Sequence, residues 1–235
     1  MTRATLDVLY EDNHLLIVNK PAGLATMGVE AGTASLLTLA KDYLREKYRK
    51  PGNVYLGVVS RLDAPVTGAV VLARTSKAAA RMTAQFRERS VEKTYWAIVA
   101  GRPSPAEGEY VDWLRKDERL RRMLVAAPGE PGAQEARLRY GTLEGLSRAG
   151  HSLLEIRLET GRKHQIRAQF AHHGHPIVGD AKYGSREALP AGIALHARRL
   201  VVEHPTLRTP VEAVAPLPGS WSGWVSRTRT GPGAV

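Results

Sequence analysis

Cysteine is absent from this 235-residue sequence. Without thiols the chain has no disulfide, no thiolate metal site and no cysteine nucleophile. The absence is compatible with a reducing cytoplasm. Any nucleophile must therefore come from another residue type, and a chain of this length buries enough apolar surface to fold without such cross-links.

Long apolar runs are absent as well. No stretch approaches the roughly 18 apolar residues of a membrane span, and residues 1–13 lack the basic start and apolar core of a signal peptide. We therefore expect a soluble cytoplasmic protein that makes no membrane contact.

Acidic residues are in the minority. The chain has 34 Lys and Arg against 23 Asp and Glu, a formal charge of +11 and a pI near 10.1. Such a surface favours a polyanionic partner, and nucleic acid is the first candidate, although an acidic membrane surface or solubility alone would give the same balance. Arg119, Arg121 and Arg122 would either bind phosphate or face water.

The first half of the chain has clear periodic segments. Residues 6–19 predict two strands around a polar turn at 11–13. Residues 33–49 have apolar side chains at helical spacing. Ser76 is the expected cap of a second helix, whose buried stripe would be Ala79, Met82 and Phe86.

The second half reads mainly as strands and loops. Residues 93–101 and 151–160 predict strands, the second of them half-exposed and antiparallel. The segments 101–109 and 126–134 are rich in Gly and Pro and predict surface loops. Residues 193–216 predict a final pair of strands.

One carboxylate stands out in the segment GVVSRLDAPVTGAVVLARTSK, residues 57–77. Asp63 lies between two apolar runs, 58–59 and 69–73, within residue types that form tight connections at the rim of a sheet. An Asp in such a turn often only caps its own backbone. Arg61 lies two positions back, on the same side of an extended chain, and helps to keep the acid ionised.

A second dense motif covers residues 160–184. Ile166 and Phe170 mark the apolar side of a helix that Gly174 ends. Cations crowd the start of this helix, where backbone amides favour anions. They are Arg162, Lys163, His164 and Arg167. From composition alone this is a candidate phosphate site.

The string SRLDAPVTG resembles the central motif of the RluA-type pseudouridine synthases, commonly His-Arg-Leu-Asp, two variable residues, then Thr-Ser-Gly. Thr67 is a conservative stand-in for the serine. Ser60 and Val66 depart from the pattern and inherit no role. The matching positions are Arg61, Leu62, Asp63 and Gly68.

Other segments resemble the same family in the same order, over roughly residues 6–225. They are Lys-Pro-Ala-Gly at 20–23, Lys-x-Tyr at 93–95 and Gly-Arg-x-His-Gln-Ile-Arg at 161–167. The resemblance implies an α+β pseudouridine synthase fold, with a bent, mainly antiparallel central sheet flanked by helices and loops and an active-site cleft across its middle.

The resemblance also implies roles for individual residues. Asp63 would be the catalytic carboxylate, Tyr95 would lie against the target base, and Arg167 would pair with Asp63. The expected substrate-binding residues are Arg61, Lys93, Arg162, His164 and Gln165.

The same resemblance sets the expected organisation. Residues 1–225 would form a single catalytic domain that starts almost at Met1, without the N-terminal RNA-binding module of some relatives, and 226–235 a flexible tail. We expect a monomer that binds RNA, either rRNA or tRNA, and needs no obligate protein partner.

Conversion of uridine to pseudouridine breaks the bond from ribose to ring nitrogen 1 and rejoins the uracil through carbon 5. No redox change or energy input is involved, so we expect no cofactor. We also expect no metal, because His172 and His173 diverge on a helix and no HExxH pattern is present. Attack by Asp63 on the sugar, attack on the ring and removal of a 2′ proton all remain open.

Two other functions compete. A non-catalytic RNA-binding protein with this fold would explain the altered motif at Ser60 and Val66. A glycosidase or nucleosidase would break the same kind of bond, but such enzymes usually place two carboxylates about it, and the matched motifs offer no partner for Asp63.

Overall fold

The structure is a computed structural model that describes residues 6–30, 32–146 and 148–225. The chain divides into two compact units. Of the described residues, the first unit contains 6–30, 32–93 and 197–216, and the second contains 94–146, 148–196 and 217–225. The expected single domain over 1–225 stays a prediction, and the expected tail at 226–235 lies outside the described residues.

The elements follow in chain order. They are β1 (Val8–Glu11), β2 (Leu15–Lys20), α1 (Leu36–Lys47), β3 (Gly57–Val58), β4 (Thr67–Ala73), α2 (Ser76–Glu88), β5 (Glu92–Ala100), β6 (Glu107–Asp117), β7 (Arg122–Ala126), β8 (Gln134–Leu143), β9 (His151–Leu158), α3 (Gln165–His172), β10 (Leu195–Glu203) and β11 (Pro210–Val214).

In the first unit, β2 and β4 are buried on both faces. They pair antiparallel, and β1 and β3 pair antiparallel with β2 and β4 respectively. Leu16 and Val18 pack in a cluster with the apolar side of α1, while Leu15 and Ile17 pack with Met82 of α2. A helix on each face explains why these strands are continuous apolar runs.

Side-chain caps fix where the two helices begin. Ser35 and Thr38 form a capping box at the start of α1, each side chain accepting from the other's backbone N–H. The cap of α2 is Thr75, whose hydroxyl accepts from Ala78 N at 3.1 Å. The prediction of Ser76 was wrong by one residue, because both hydroxyl residues can cap and only the backbone turn selects between them.

In the second unit, the strands lie in the order β5, β9, β8, β6 and β7, with antiparallel neighbours. α3 covers part of one face. Ala168 of α3 packs in a cluster with Leu114, Ala136 and Tyr183. The long strands β6 and β8 alternate between half-buried or buried and exposed positions, as a half-solvated sheet requires.

The expected α+β class with a mainly antiparallel sheet is confirmed. The predicted strands at 6–19, 93–101, 151–160 and 193–216 are all present, and the helix expected over 33–49 spans Leu36–Lys47. The stripe on α2 is only partly as predicted. Met82 is buried, whereas Ala79 and Phe86 are half-buried and Ala78 and Gln85 are buried instead.

Three strands were missed. β6 begins at Glu107, inside the predicted loop 101–109, and β7 and β8 had no strand prediction. β6 and β8 carry charged side chains between their apolar residues, and β7 has only five residues, all of them half-buried, so none of the three shows a clear apolar alternation. The loop predicted over 126–134 does connect β7 to β8, and Arg119 and Arg121 lie exposed in the β6–β7 turn.

The tightest approach in the first unit occurs at Gly68, the second residue of β4. Its φ is +113°, and a Cβ built there would lie 2.6 Å from Ala197 N and closer still to the Ala197 carbonyl oxygen. A side chain therefore meets backbone that cannot move aside without displacing a strand.

We expect Gly68→Ala to lower the free energy of unfolding by about 3 kcal/mol or more, measured by urea denaturation. Gly141→Ala is the matched control, because nothing lies within 4 Å of the added Cβ and φ is not positive. Its effect should stay within about 0.5 kcal/mol. Equal effects of the two substitutions would contradict the assigned close approach.

Candidate functional site

Asp63 belongs to the first unit, in the connection between β3 and β4. Its carbonyl oxygen accepts from Val66 N at 3.0 Å, which closes a four-residue turn. The Asp63 side chain is half-buried. The turn therefore presents the carboxylate at the end of a buried strand, as the sequence predicts.

Lys20, at the end of β2, holds the Asp63 turn in place through hydrogen bonds. Its side chain is completely buried, and Nζ donates to three backbone carbonyl oxygens at 2.7–3.0 Å. They belong to Pro21, Leu24 and Ala64. The ammonium thus joins the loop after β2 to the residue that follows Asp63.

Thr26 and Gly23 complete the attachment of the Asp63 turn. The Thr26 hydroxyl donates to Leu62 O at 2.9 Å and accepts from Leu62 N at 3.1 Å. Gly23 N donates to Ala64 O at 2.8 Å. Both residues next to Asp63 are therefore fixed through their backbones, which limits the positions that the carboxylate can take. We call Lys20, Gly23 and Thr26 the loop clamp.

Burial makes the charged form of Lys20 less stable than it would be in water. Burial lowers the pKa of Lys20 from 10.5 to about 8, and the nearby negative charge of Asp63 acts in the opposite direction. The two side chains therefore influence each other electrostatically although the ammonium bonds only to carbonyl oxygens among the described contacts.

Ser60 and Val66, the two residues that depart from the family motif, both contact other parts of the first unit. The Ser60 hydroxyl accepts from Val71 N at 3.2 Å and donates to Val71 O at 3.4 Å, so it ties the connection to β4. Val66 is buried in the apolar interior. Both residues therefore support the turn.

Arg61 and Lys93 also lie in the first unit. Arg61 is exposed, on the strand-to-turn segment before Asp63. Lys93 is half-buried, with Nζ 6.0 Å from the centre of the Phe86 ring. Burial first, and then the charge of Arg89, lower the pKa of Lys93. Their substrate-binding roles stay predictions.

Tyr95 belongs to the second unit, in β5. It lies opposite Ile156 of β9 in the antiparallel register, and its side chain is half-buried. A strand with a neighbour on this side holds the ring in a defined direction. Its place against a target base stays a prediction.

The start of α3 is held by side chains of the predicted set. Gln165 is buried, and its Oε1 accepts from Thr160 Oγ1 at 2.7 Å and from Arg162 N at 3.0 Å, while Nε2 donates to Arg137 O at 3.0 Å. Arg162 Nε donates to Glu135 O at 2.9 Å. These contacts fix the turn before the helix, and substrate binding by Arg162 and Gln165 stays a prediction.

His164 occupies the residue before α3 in a left-handed conformation, with φ of +51°. Its Nδ1 lies 2.8 Å from the Tyr183 hydroxyl. The ring is thereby fixed against another aromatic side chain of the second unit, and a role in binding substrate stays a prediction.

Arg167 is buried to 4% exposure in the first turn of α3. Its Nε and Nη2 donate to the two carboxylate oxygens of Asp180 at 2.6 and 2.9 Å. Its Cζ lies 5.0 Å from the centre of the Tyr183 ring. The structure thus brings Arg167 and His164 into one cluster of the second unit, whereas Asp63, Arg61 and Lys93 belong to the first.

Sequence reasoning gave no individual role to Lys20, Thr26, Asp180 or Tyr183, although residues 174–184 resemble the loop that helps to shape the site in the RluA-type family. Lys20 lies in the quoted Lys-Pro-Ala-Gly segment, and Asp180 and Tyr183 lie in the Gly-Asp-Ala-Lys-Tyr-Gly segment after α3. Polar residues between glycines were the available signal. Their partners depend on tertiary contacts that no local pattern displays.

Among residues 6–30, 32–146 and 148–225, the structure has no group of three or more His, Asp or Glu side chains placed to hold a metal ion. Within the same ranges, no helix is long and apolar enough to cross a membrane.

The depressed pKa of Lys20 gives a pH-dependent contribution to stability. Between about pH 8 and 10.5 the unfolded chain keeps the Lys20 proton while the folded chain loses it, so stability from this group rises with pH and is lost as pH falls through 8. We compare the unfolding free energy of the wild type with that of Lys20→Met. As pH rises from about 8 to 10.5, we expect the difference to change in favour of the wild type by up to about 1.4 kcal/mol per pH unit.

Urea denaturation of both proteins from pH 7 to pH 10.5 measures this difference. Every other titrating group is common to the two proteins and cancels. A difference that stays constant over the whole range would show that the ammonium is not destabilised by burial.

The comparisons with known proteins agree on one family. A family model described as RNA pseudouridylate synthase matches residues 14–172. An uncharacterised RNA pseudouridine synthase of Synechocystis is 38% identical over 219 residues, covering 91% of this chain and 66% of that protein. Ribosomal large subunit pseudouridine synthase D of Xylella fastidiosa is 36% identical over 231 residues, with the same two coverages. The chain thus spans about two thirds of the length of these two relatives.

A solved structure has the same fold. Human RNA Pseudouridylate Synthase Domain Containing 4 superposes with a TM-score of 0.76 at 26% identity, covering 92% of this chain and 91% of that one. Since the family model covers more than half of the chain, this chain belongs to the RNA pseudouridylate synthase family, whose members are isomerases acting on RNA uridine.

Proposed function

We propose that this protein isomerises specific uridines in structured RNA, either rRNA or tRNA, to pseudouridine, with Asp63 as the catalytic carboxylate. The observation that carries the proposal is the loop clamp, which fixes the backbone on both sides of Asp63. A family member that had become a passive RNA binder would have no need to hold one carboxylate so closely.

The altered motif positions support catalysis when their contacts are considered. A histidine-to-serine change would favour the non-catalytic alternative if the residue touched substrate. Ser60 instead bonds to the backbone of Val71, and Val66 is part of the apolar interior. Both changes therefore fall on residues that support the turn and leave Asp63 in place.

The proposed reaction balances within the substrate. The bond from ribose carbon 1′ to ring nitrogen 1 breaks, a bond from carbon 1′ to carbon 5 forms, carbon 5 loses a proton and nitrogen 1 gains one. Asp63 supplies the carboxylate, Tyr95 receives the base by stacking, and Arg167 keeps Asp63 ionised. Arg61, Lys93, Arg162, His164 and Gln165 are the proposed contacts to RNA.

Charge and the names of the relatives support the proposed substrate class. A formal charge of +11 favours a polyanion, and one relative is named for the large ribosomal subunit. Extrusion of a base costs a few kcal/mol, least at unpaired positions, which favours uridines in loops. A monomer without an obligate protein partner, located in the cytoplasm, stays a prediction.

We expect Asp63→Asn to fold and bind RNA but to release tritium from RNA labelled at uracil carbon 5 at least roughly 10³-fold more slowly than the wild type. Loss of the carbon 5 proton is common to all three routes open to Asp63, so this readout does not depend on which one operates. The matched control is Asp42→Asn, an exposed carboxylate on α1 paired with Arg45, which should keep the wild-type rate.

Two outcomes would count against the proposal. Wild-type release of tritium by Asp63→Asn would remove Asp63 from the reaction. Free uracil as the main product of the wild type, detected by chromatography, would favour hydrolysis over isomerisation.

The clamp itself is testable at Thr26. We expect Thr26→Val to leave the Leu62 backbone N–H without its partner, to cost about 1–3 kcal/mol of stability and to lower the single-turnover rate about tenfold with RNA affinity unchanged. Thr26→Ser keeps the hydroxyl and should stay close to wild type. Equal rates for Thr26→Val and Thr26→Ser would show that the clamp does not position Asp63.

A further inference from the structure

A tyrosine ring is held on the surface of the first unit at the end of α1. Tyr48 is 43% exposed, and its hydroxyl donates to Glu11 Oε1 at 2.6 Å. Arg74 lies over the ring, with Cζ 4.7 Å from the ring centre, within the range of a cation–π contact. The side chains of Glu11 and Arg74 are only 8% and 7% exposed, and they form an ion pair at 3.2 Å. Two buried charged groups therefore fix an exposed ring.

Glu11, at the end of β1, also attaches the last turns of α1. Its Oε2 accepts from Lys47 Nζ at 2.7 Å and from the Tyr43 hydroxyl at 2.8 Å. A buried carboxylate is stable only when its oxygens are well paired. The described donors to Glu11 lie on α1, at the residue after it and directly after β4, so the carboxylate ties this end of α1 to the edge of the sheet.

Further cations lie beside the ring. Nζ of Lys47 and Nζ of Lys50 are 5.7 and 5.9 Å from the centre of the Tyr48 ring. Arg49 is exposed between Tyr48 and Lys50. Residues 46–50 together with the buried pair carry four positive charges against two negative ones, from Lys47, Arg49, Lys50 and Arg74 against Glu11 and Glu46. The ring therefore lies in a positively charged surface.

The backbone at the end of α1 holds the two exposed cations in place. Arg49 N donates to Glu46 O at 3.2 Å, and Lys50 N donates to Arg45 O at 3.0 Å. Arg49 has a left-handed conformation with φ of +49°, which turns the chain away from the helix axis. Both cations thus project from an ordered helix end.

This surface lies at the opposite end of β4 from the Asp63 turn. β4 begins at Thr67, just after that turn, and ends at Ala73, just before Arg74. A seven-residue strand at about 3.3 Å per residue is about 20 Å long, or roughly six nucleotides of a helical RNA strand at about 3.4 Å each. An RNA that reaches both places therefore extends well beyond the target uridine.

We propose that Lys47, Tyr48, Arg49 and Lys50 form a second RNA-binding surface, which binds a single-stranded segment several nucleotides away from the uridine at Asp63. We call these four residues the α1 surface. The inference rests on the proposed function, because it takes RNA as the substrate. An exposed ring among cations matches a single-stranded nucleotide, since the ring stacks on a base while the cations bind phosphates. A partner that offered only negative charge would make no use of a fixed ring.

The charge of the α1 surface is tested with the double variant Arg49→Gln/Lys50→Gln. The probe is a fluorescein-labelled oligouridine of about 20 nucleotides, and its affinity is measured by anisotropy at several salt concentrations. We expect affinity to fall about tenfold and the log–log salt slope to become shallower by about 1.4, because each single-stranded phosphate contact contributes about 0.7. Both side chains are exposed, so the variant keeps its fold.

The matched control is the double variant Arg87→Gln/Arg208→Gln. Both arginines are exposed cations of the first unit, each in a surface ion pair, with Glu88 and Glu203 respectively. Arg208 also has a positive φ, +61°, as Arg49 does. This variant loses the same charge from other places, so its affinity for oligouridine should stay within about twofold of the wild type.

The ring is tested by comparing Tyr48→Leu with Tyr48→Phe. Both variants lose the hydroxyl bond to Glu11, so both should unfold at a slightly lower temperature. Only Tyr48→Phe keeps the ring. We expect Tyr48→Leu to bind oligouridine roughly 5- to 100-fold more weakly, and Tyr48→Phe to stay within about threefold of the wild type.

Kinetics separate this surface from the site at Asp63. In tritium release from RNA labelled at uracil carbon 5, the α1-surface variants should have a lower kcat/KM through a raised KM, because the surface lies about 20 Å from the turn that carries the carboxylate. A loss confined to kcat would contradict a separate binding surface.

Other results would also overturn the inference. They are wild-type affinity in both Arg49→Gln/Lys50→Gln and Tyr48→Leu, an equal loss in the Arg87→Gln/Arg208→Gln control, or equal weakness of Tyr48→Phe and Tyr48→Leu. Unchanged RNA affinity with lost binding to phosphatidylserine vesicles would reassign the surface to a membrane.

Failure of this inference differs from failure of the proposed function. Normal tritium release by the wild type, with affinity unchanged in every variant, would refute the α1 surface alone. A wild type that binds oligouridine through this surface but releases no tritium would refute the proposed reaction and leave the surface in place.

Discussion

A buried ammonium, whose hydrogen-bond partners among the described residues are all backbone carbonyls, constrains the first unit. Lys20 Nζ is removed from water, and in the described hydrogen bonds that compensate for this it donates to three carbonyl oxygens. A charge buried in this way requires all its partners in place, because each missing partner leaves part of the desolvation cost without compensation. The loop after β2 and the Asp63 turn must therefore form together with the strand that carries Lys20.

The apolar layers of the first unit support this arrangement. β2 and β4 are covered by α1 on one face and α2 on the other, so the strand end that carries Lys20 is held firmly. Gly68 permits the close approach of the Ala197 backbone to β4. The turn that presents Asp63 thus leads directly into β4, a strand buried on both faces, and such a strand gives a carboxylate rigid support.

The buried Arg167 of the second unit has partners of a different kind. Its charge meets a carboxylate side-on and an aromatic ring, and the partners are fixed by a short turn. Lys20 joins two loops by donating to backbone carbonyls of both. Asp180 instead makes a two-point contact with a single side chain, that of Arg167. The two buried cations therefore have different kinds of partner: Lys20 bonds to backbone carbonyls, and Arg167 bonds to a carboxylate.

Much of this fold could be predicted from the sequence. Continuous apolar runs predicted β2 and β4, helical spacing predicted α1, and turn-forming residues placed Asp63 at the end of a strand. β6 and β8 were missed because charged residues interrupt their apolar alternation, and β7 was missed because it is only five residues long and evenly half-buried. The partners of the buried cations could not be predicted, since Lys20 and Ala64 lie 44 positions apart and their contact exists only after folding.

The Ser60 contact has a consequence for how related chains are identified. Because a serine hydroxyl bonds both the N–H and the carbonyl of Val71, a small polar side chain is sufficient to fasten this end of the connection. A search pattern that demands histidine there, and threonine at the position of Val66, would reject this chain. Patterns built on the aspartate together with its backbone supports, a lysine and a threonine upstream, would retain it.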